Sequence, residues 1–181
     1  MTEKQKIQMQ SCILDCKMIQ VERADVDPDI NYTGFPVWLS DSFLLMTNVY
    51  DFHDEGYVLL RTSDISEIAA KDADFYAKIC IQEGLREKAS ACTIQKADSY
   101  FDVLNQFLQY PGYLSVHCEN EEELPQYLLG RIVSPEETGV KFASLGCDGE
   151  WDTELDFIPY DRITMLAWDD YYAKMYYRYC K

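Results

Sequence analysis

The sequence predicts an α+β protein made of two small, strongly bent five-stranded β-barrels in tandem, each followed by a helical segment. The first observation is residues 43–68, where an apolar run, an acidic turn, a second apolar run, a two-residue break and a short third run follow one another. The second is a weaker copy of this pattern at 140–166. The third is a matching segment after each copy, DFYAKI at 74–79 and DYYAKM at 170–175. Because both halves share this order, we interpret the chain as an internal duplication.

The elements before residue 43 are predicted from alternation and from turn-forming residues. Residues 12–21 mix apolar and polar side chains in near-alternation, which favours a first strand. The acidic stretch 22–31 contains Pro28 and is interpreted as a loop. Residues 33–39 indicate a short strand at a sheet edge, because Pro36 cannot donate to a ladder.

The rest of the first half follows from one long apolar run and its punctuation. Residues 43–50 predict a strand that is buried on both faces over part of its length. Residues 54–56 predict the hairpin turn, with Gly56 supplying the positive φ that such turns require. A return strand at 57–61, a break at 63–64, a very short strand at 65–68 and a helix at 70–84 complete this half.

The second half is predicted to repeat this order. Ser99 and Asp102 resemble a capping box with a shortened carboxylate, so a helix is expected to begin there and to end at Pro111. Strands are predicted at 113–118, 126–133, 140–145, 151–159 and 163–166, with an acidic loop at 119–125. The predicted domains are a barrel and helix at 1–85, a connecting segment and helix at 86–112, and a barrel with an aromatic tail at 113–181.

A short motif in the first half carries a resemblance to known proteins. Its residues are Tyr50, Asp51, Phe52, Gly56, Tyr57, Arg61, Asp64 and Ile65. The motif resembles a pattern in uncharacterised small bacterial proteins built of two Sm-like or SH3-like barrel halves. The two-residue break resembles the short turn before the last strand of such barrels. The resemblance implies a fold and supplies no catalytic residue, since a fold alone does not determine function.

The charge balance excludes some partners. Sixteen Lys and Arg residues stand against thirty-two Asp and Glu residues, a net charge of −16. Because affinity for nucleic acid depends on cations that displace counterions, we expect no general DNA or RNA binding. The same charge disfavours anionic membranes and favours a basic protein partner.

The cysteines and the N-terminal residues indicate a reducing compartment. Seven cysteines with irregular spacing do not resemble a secreted disulfide framework. The polar start does not resemble a signal peptide, and no apolar run approaches the ~18 residues of a spanning helix. We therefore expect reduced thiols and a cytoplasmic protein.

Motifs for common enzyme chemistry are missing from the sequence. There is no Gly-rich phosphate loop, no G-x-S-x-G elbow and no H-E-x-x-H pair. The best local group is Asp51, His53 and Asp54, which could bind a metal or supply a general base. The same residues are also expected as solvated turn residues. We expect no catalytic residue, cofactor or metal, and keep a metal-assisted enzyme as the alternative.

Two features suggest a surface for a partner. The first is the aromatic tail, in which Trp168, Tyr172, Met175, Tyr176 and Tyr179 fall on one helical face. That face either packs on the second barrel or is exposed as a protein interface, where Tyr and Trp are concentrated. The second is a pair of acidic stretches, 22–29 and 119–123, and the latter contains Glu121, Glu122 and Glu123.

These features predict a non-catalytic protein-interaction or regulatory module that presents an acidic surface to a partner. A neutralising protein that blocks a basic toxin or nuclease would suit such a surface. Self-association through the aromatic tail is a second possibility. An atypical RNA-binding Sm-like protein is a further alternative, although the aromatic residues lack a basic rim in the sequence.

Overall fold

The computed structural model of the chain describes residues 1–71, 73–120 and 127–180. It shows an α+β protein with more strand than helix, which confirms the predicted class. The chain divides into two compact units, Met1–Lys96 and Ala97–Lys181. The boundary between them falls within the segment that was predicted as a connection.

The first unit contains α1 (Glu3–Leu14), β1 (Ile19–Arg23), β2 (Asp27–Gly34), β3 (Pro36–Leu39), β4 (Phe43–Tyr50), β5 (His53–Arg61), a 3-10 turn (Thr62–Asp64), β6 (Glu67–Ala70), α2 (Phe75–Gln82) and α3 (Glu87–Ala91). Strand β1 pairs with β2 and β6, and β4 pairs with β3 and β5, all antiparallel.

The predicted strand at 12–21 is wrong, because α1 occupies the first part of it. Thr2 and Gln5 form a capping box in which the Gln5 backbone N–H donates to Thr2 Oγ1 and the Thr2 N–H donates to Gln5 Oε1. This reciprocal cap satisfies donors that a helix start otherwise leaves open. Met9 and Cys12 are the buried residues of α1. The first strand begins only at Ile19.

The predicted acidic loop at 22–31 is also wrong. A short turn closes where the Val26 N–H donates to the Arg23 carbonyl at 2.9 Å, and β2 starts at Asp27. Pro28 is tolerated in this outer strand because the pairing with β1 skips from Asp27 to Asn31. No ladder hydrogen bond is therefore lost at the proline.

The predicted strand at 33–39 is the end of β2 followed by β3, and the chain bends between them. The Phe35 N–H donates to Thr47 Oγ1 at 2.8 Å, and the Thr47 N–H donates to the Phe35 carbonyl at 2.9 Å. Gly34 permits this close approach, since a Cβ there would lie 2.0 Å from the Thr47 carbonyl oxygen. The bend carries the chain from the sheet of β1 to the sheet of β4.

Strand β4 coincides with the predicted strand, but the hairpin turn was placed three residues too late. Tyr50 pairs with His53, so the turn consists of Asp51 and Phe52, whose φ angles are 48° and 65°. Two positive φ angles match the twist of the flanking strands. Gly56 has φ 75°, yet it lies within β5, where the register shifts and the strand bulges.

The end of the first unit agrees with the prediction in the order of its elements, but the last strand lies two residues later than predicted and α2 begins only at Phe75. The break at 63–64 falls within the 3-10 turn, where Arg61 Nε donates to Asp64 Oδ2 at 2.6 Å. Strand β6 then follows and pairs with β1. Helix α2 is followed by Gly84 with φ 79°, as expected for a glycine just beyond a helix.

The second unit contains α4 (Tyr100–Gln106), a 3-10 turn (Phe107–Gln109), β7 (Leu114–His117), β8 (Tyr127–Pro135), β9 (Gly139–Ser144), β10 (Asp156–Pro159), β11 (Met165–Trp168) and α5 (Tyr171–Tyr179). The predicted cap of α4 is confirmed, because the Asp102 N–H donates to Ser99 Oγ. The predicted strand at 151–159 is shorter: only β10 is regular, and Trp151 forms an isolated bridge with Leu145.

Both units arrange their strands in the same order. The second unit runs β10-β9-β8-β7-β11, and the first runs β5-β4-β3/β2-β1-β6 if the bent β2 and β3 count as one strand. Gly130 in β8 corresponds to Gly34, since a Cβ there would lie 1.9 Å from the Ala143 carbonyl oxygen of β9. Among the described residues neither set of strands closes into a barrel, so the two barrels stay a prediction.

The trailing helices pack on equivalent residues. Ala77 of α2 contacts the first core, and Ala173 of α5 contacts the second. The two core clusters share two repeat positions. The first directly precedes the first strand and is Met18 or Tyr113, and the second lies at the end of the third strand and is Val49 or Leu145. The matched alanine lets each helix approach its strands closely.

Candidate protein-interaction surface

Helix α5 is the element that positions the aromatic side chains. Its N-cap is Asp170, whose Oδ1 accepts a hydrogen bond from the Ala173 N–H at 2.7 Å. Burial raises the pKa of the Asp170 carboxyl, and the hydrogen bond from Ala173 opposes that rise. Asp74 occupies the equivalent N-cap position of α2 without a side-chain hydrogen bond to the helix. The cap fixes the start of α5 at Tyr171, and hence the rotation of every side chain after it.

The 3.6-residue period divides the side chains of α5 between two sides. Ala173 is 2 % exposed and holds the helix against Tyr113, Leu129 and Leu145. Lys174, Tyr177 and Arg178 lie on one side together with Ala173. The other side, called the tyrosine face below, consists of Tyr172, Met175, Tyr176 and Tyr179, and Tyr176 at its edge also packs against the core cluster of Ala173.

The tyrosine face is partly open to solvent. Tyr172 is 47 % exposed and Tyr179 is 72 % exposed. The Tyr172 and Tyr176 rings lie 4.7 Å apart between centroids, and the Tyr127 ring lies 6.0 Å from that of Tyr172. Rings held against one another lose little conformational entropy when a partner covers them.

Two hydroxyl groups of this cluster resist ionisation. The hydrogen bond with Tyr172, followed by burial, raises the pKa of Tyr176 to about 12. Burial raises the pKa of Tyr127 to about 12 as well, and its hydrogen bond with Ser115 partly opposes the rise. Both groups therefore stay protonated to a higher pH than an ordinary tyrosine, and a protonated phenol can both donate and accept hydrogen bonds.

Beside the tyrosine face lies an acidic loop, residues 147–155, between β9 and β10. It carries four exposed acidic residues at alternate positions, which are Asp148, Glu150, Asp152 and Glu154. Gly149, with φ 84°, and a hydrogen bond from the Glu150 N–H to Asp148 Oδ1 at 3.1 Å shape its turn. The loop thus presents its carboxylates to solvent from a defined turn.

The acidic loop and the tyrosine face form one continuous surface. The Tyr176 hydroxyl donates to the Cys147 carbonyl at 2.9 Å. A hollow of about 280 Å³ lies between the first residues of the loop and Met175, Tyr176 and Tyr179. A second hollow of about 250 Å³ is bordered by Asp152, Tyr172 and Tyr176. Aromatic rings and carboxylates therefore line the same depressions.

The structure separates the residues that the sequence grouped on one helical face. Tyr172, Tyr176 and Tyr179 share one side of α5, but Trp168 belongs to β11, before the helix begins. Its side chain is 2 % exposed and packs edge-on against Phe107, with ring centroids 5.0 Å apart. The grouping of Trp168 with the helix is wrong because Asp169, at φ 62°, ends the strand between them.

The other predicted acidic residues do not join this surface. Glu121, Glu122 and Glu123 lie outside the described residues. The acidic stretch 22–29 belongs to the β1–β2 hairpin of the first unit. The predicted strand at 151–159 covers part of the acidic loop, which the sequence therefore did not reveal as a surface. The alternation of acidic residues through DGEWDTE was the available signal.

The three residues that were considered as a metal site or general base, Asp51, His53 and Asp54, have separate structural roles. Asp51 forms the hairpin turn, and His53 is an exposed residue of β5. The Asp54 carboxylate accepts a hydrogen bond from the Gly56 N–H at 2.9 Å and forms an ion pair with Lys88 Nζ. Within residues 1–71, 73–120 and 127–180, no three His, Cys, Asp or Glu side chains form a group that could hold a metal ion.

The cysteines and the helices give two further findings. All seven cysteines are free thiols, of which Cys12, Cys80 and Cys118 are buried. In the part of the chain that the structure describes, every helix is too short or too polar to cross a membrane.

Comparisons of the chain with protein-family models, with curated proteins and with solved structures gave no match.

Proposed function

We propose that the chain is a non-catalytic protein-interaction module that binds a basic segment of a partner on the acidic loop and the tyrosine face. The observation that carries the proposal is the junction of these two features. Exposed tyrosine rings share two hollows with Asp148 and Asp152 of the acidic loop, and the Tyr176 hydroxyl is bonded to Cys147 at the start of that loop. An arginine-rich segment is the ligand whose chemistry matches both.

The two features make different contributions to binding. A guanidinium over an exposed tyrosine ring contributes about 0.5–1 kcal/mol by the cation–π interaction. Tyrosine also supplies a large contact area for few rotatable bonds, which is why it is common at binding hot spots. The carboxylates add attraction at long range, so they accelerate encounter with a basic partner and disfavour acidic ones. The net charge of −16 acts in the same direction.

The partner class that we propose is a basic protein that the chain neutralises or regulates. A nuclease or toxin with a cationic binding surface would be blocked if its arginines were held on the acidic loop. Nucleic acid is a poor ligand for the same surface, because its phosphates would meet carboxylates. We propose no catalytic turnover and a cytoplasmic location, which the seven free thiols support.

We further propose that each unit is an Sm-like barrel and that the chain is related to the small bacterial proteins that its motif resembles. Support comes from the shared strand order and from the short turn before the last strand in each unit. The equivalent close approaches at Gly34 and Gly130 add to it. An experimental structure in which the two units superpose strand for strand would support this duplication, and a mismatch would overturn it.

Affinity capture tests the partner class. The full chain and a Tyr172→Ser/Tyr179→Ser variant are used as bait in extract of the host cell, at low and at raised salt. We expect the wild-type chain to retain proteins of high pI at low salt, and the variant and the raised salt to reduce their recovery. Equal recovery by the variant at both salt concentrations would contradict the proposal. Recovery of acidic partners only would contradict it as well.

A further inference from the structure

A cleft of about 670 Å³ lies on the side of α5 opposite the tyrosine face. Its walls are residues 110–113 and Asp169 on one side, and Ala173, Lys174, Tyr177 and Arg178 of α5 on the other. This volume is within the range of clefts that bind small molecules, roughly 300–1,000 Å³. The cleft therefore has room for a ligand of moderate size.

The walls of the cleft are held in place. The Tyr110 hydroxyl donates to Asp169 Oδ1 at 2.9 Å, and Gly112 makes room for the Tyr110 ring, which a Cβ would approach to 2.7 Å. Tyr113 is 1 % exposed, and its hydroxyl donates to the Cys180 carbonyl at 2.7 Å. The Tyr177 ring meets that of Tyr113 edge-to-face at 5.3 Å. The aromatic lining is thus largely pre-formed.

Positive charge gathers around this cleft in an otherwise acidic unit. The second unit has six basic residues: Arg131, Lys141, Arg162, Lys174, Arg178 and Lys181. Two of them, Lys174 and Arg178, line the cleft one helical turn apart. The only acidic residue among the lining side chains is Asp169, so the described lining has a net positive formal charge.

A third cation stands behind the aromatic wall. The Arg131 guanidinium lies 5.1 Å from the centroid of the Tyr113 ring and 5.9 Å from that of Tyr177. The third ring around it is that of Trp151, at 5.6 Å. Arg131 therefore adds positive potential to the two rings that line the cleft.

The repeat shows that part of this chemistry is particular to the second unit, since Lys174 has an equivalent in Lys78 but the two arginines have none. Arg131 follows Gly130, whereas the residue after the equivalent Gly34 is the fully buried Phe35. The positions of Tyr177 and Arg178 correspond to Ile81 and Gln82 in α2. The fold of a unit thus forms without Arg131 and Arg178, so folding alone does not account for these two arginines.

We infer that the cleft lined by Tyr113, Lys174, Tyr177 and Arg178 binds a small organic anion that carries a flat ring. The ring would lie against the half-buried Tyr110 and the exposed Tyr177, and its carboxylate, sulfonate or phosphate would accept charge-assisted hydrogen bonds from Arg178 and Lys174. This site is independent of the proposed partner surface, because it occupies the other side of α5.

Titration with two naphthalene compounds tests the inference. The probes are 1-naphthalenesulfonate and its uncharged analogue 1-naphthalenemethanol, and binding is followed through backbone amide chemical shifts of the full chain. We expect saturable binding of the sulfonate, with the largest shifts at Gly112, Tyr113 and Ala173. The alcohol should bind at least about tenfold more weakly, since it lacks the charge.

Two exposed variants locate the anion contact, and a third serves as the control. Arg178→Gln, which places the residue of α2 in α5, and Lys174→Gln are each expected to weaken sulfonate binding about fivefold. Lys141→Gln removes the same charge from an exposed residue of the same unit that is ion-paired with Glu136 outside the cleft. It should leave the affinity unchanged. Equal affinity for the alcohol, shifts centred elsewhere, or equal loss in the control would each overturn the inference.

Discussion

The Tyr176 hydroxyl donates a hydrogen bond to the Cys147 carbonyl oxygen at 2.9 Å. This bond joins the middle of α5 to the first residue of the acidic loop, 29 positions away in the sequence. It therefore sets the distance between the tyrosine rings and the carboxylates of the proposed binding surface.

Removal of that hydroxyl should loosen the loop with little effect on the fold. Tyr176→Phe is expected to cost at most about 1 kcal/mol in the free energy of unfolding, because the bond is partly exposed. Amide hydrogen exchange at 147–150 should become faster. Tyr179→Phe removes the same hydroxyl group from an exposed ring of the tyrosine face and serves as the control. Unchanged exchange in Tyr176→Phe would show that the bond does not hold the loop.

The two glycines of the bent second strands should be equally intolerant of a side chain. A Cβ on Gly34 would overlap the Thr47 carbonyl oxygen, and a Cβ on Gly130 would overlap that of Ala143. Each change to alanine should therefore destabilise the chain by about 2–4 kcal/mol in chemical denaturation. At Gly84 the nearest atom to a new Cβ is 3.8 Å away, so only the cost of a positive φ remains, about 1–2 kcal/mol.

The Gly84→Ala variant is the control. It makes the same chemical change as the other two variants but adds only backbone strain, so the comparison isolates the cost of steric overlap. A loss at Gly34 and Gly130 no larger than that at Gly84 would contradict the close approach of the strands. A large loss at only one of the two would contradict their equivalence in the repeat.

Alkaline pH should weaken the second unit through Tyr127. Its pKa is raised to about 12 in the folded chain, above the ordinary value of 10. Between pH 10 and pH 12 the tyrosine is ionised in the unfolded chain but still protonated in the folded chain. The free energy of unfolding therefore keeps its full value below pH 10 and falls as the pH rises towards 12. Denaturation midpoints measured from pH 9 to pH 11 should fall less steeply in Tyr127→Phe than in the wild type. A wild-type slope in Tyr127→Phe would refute the assignment.

RNA binding is the clearest test of the nucleic-acid expectation. With a net charge of −16, the chain should not retain a mixed-sequence RNA pool in a filter-binding assay at moderate salt. The cluster of Arg131, Lys174 and Arg178 is too small to outweigh sixteen acidic residues in its own unit. Retention with a steep salt dependence would show that the cations act together on phosphates.

The sequence predicted those elements whose local pattern, such as an apolar run or a capping residue, has the same role in the folded chain. The apolar run of β4 and the Ser99 cap of α4 are examples, since each is decided by a few neighbouring residues. The capping box at Thr2 and Gln5 was present but overlooked, because α1 has few apolar residues to mark its period. Pro28 favoured a loop, although an irregular pairing allows it within an outer strand.

The errors arose where one residue type serves two purposes. Gly56 suggested a turn, yet its positive φ is used in a bulge, and the hairpin turns through Asp51 and Phe52. At Trp168, helical spacing continued by coincidence into a strand. The cleft could not be predicted, because Tyr113 and Arg178 are brought to the same cleft only by the packing of α5 on the strands.

Binding of a defined basic peptide to an acidic-loop variant tests the central proposal most directly. The probe is a peptide of alternating arginine and glycine, titrated by isothermal calorimetry and by amide chemical shifts. The variant carries Asp148→Asn, Glu150→Gln, Asp152→Asn and Glu154→Gln. The control carries the same change of charge in the first unit, as Glu22→Gln, Asp25→Asn, Asp27→Asn and Asp29→Asn. We predict that the wild type and the control bind with shifts at Tyr172 and Tyr179, and that the acidic-loop variant binds at least about tenfold more weakly. Equal weakening in both variants, or unchanged binding in the acidic-loop variant, would contradict the proposal that this surface is the binding site.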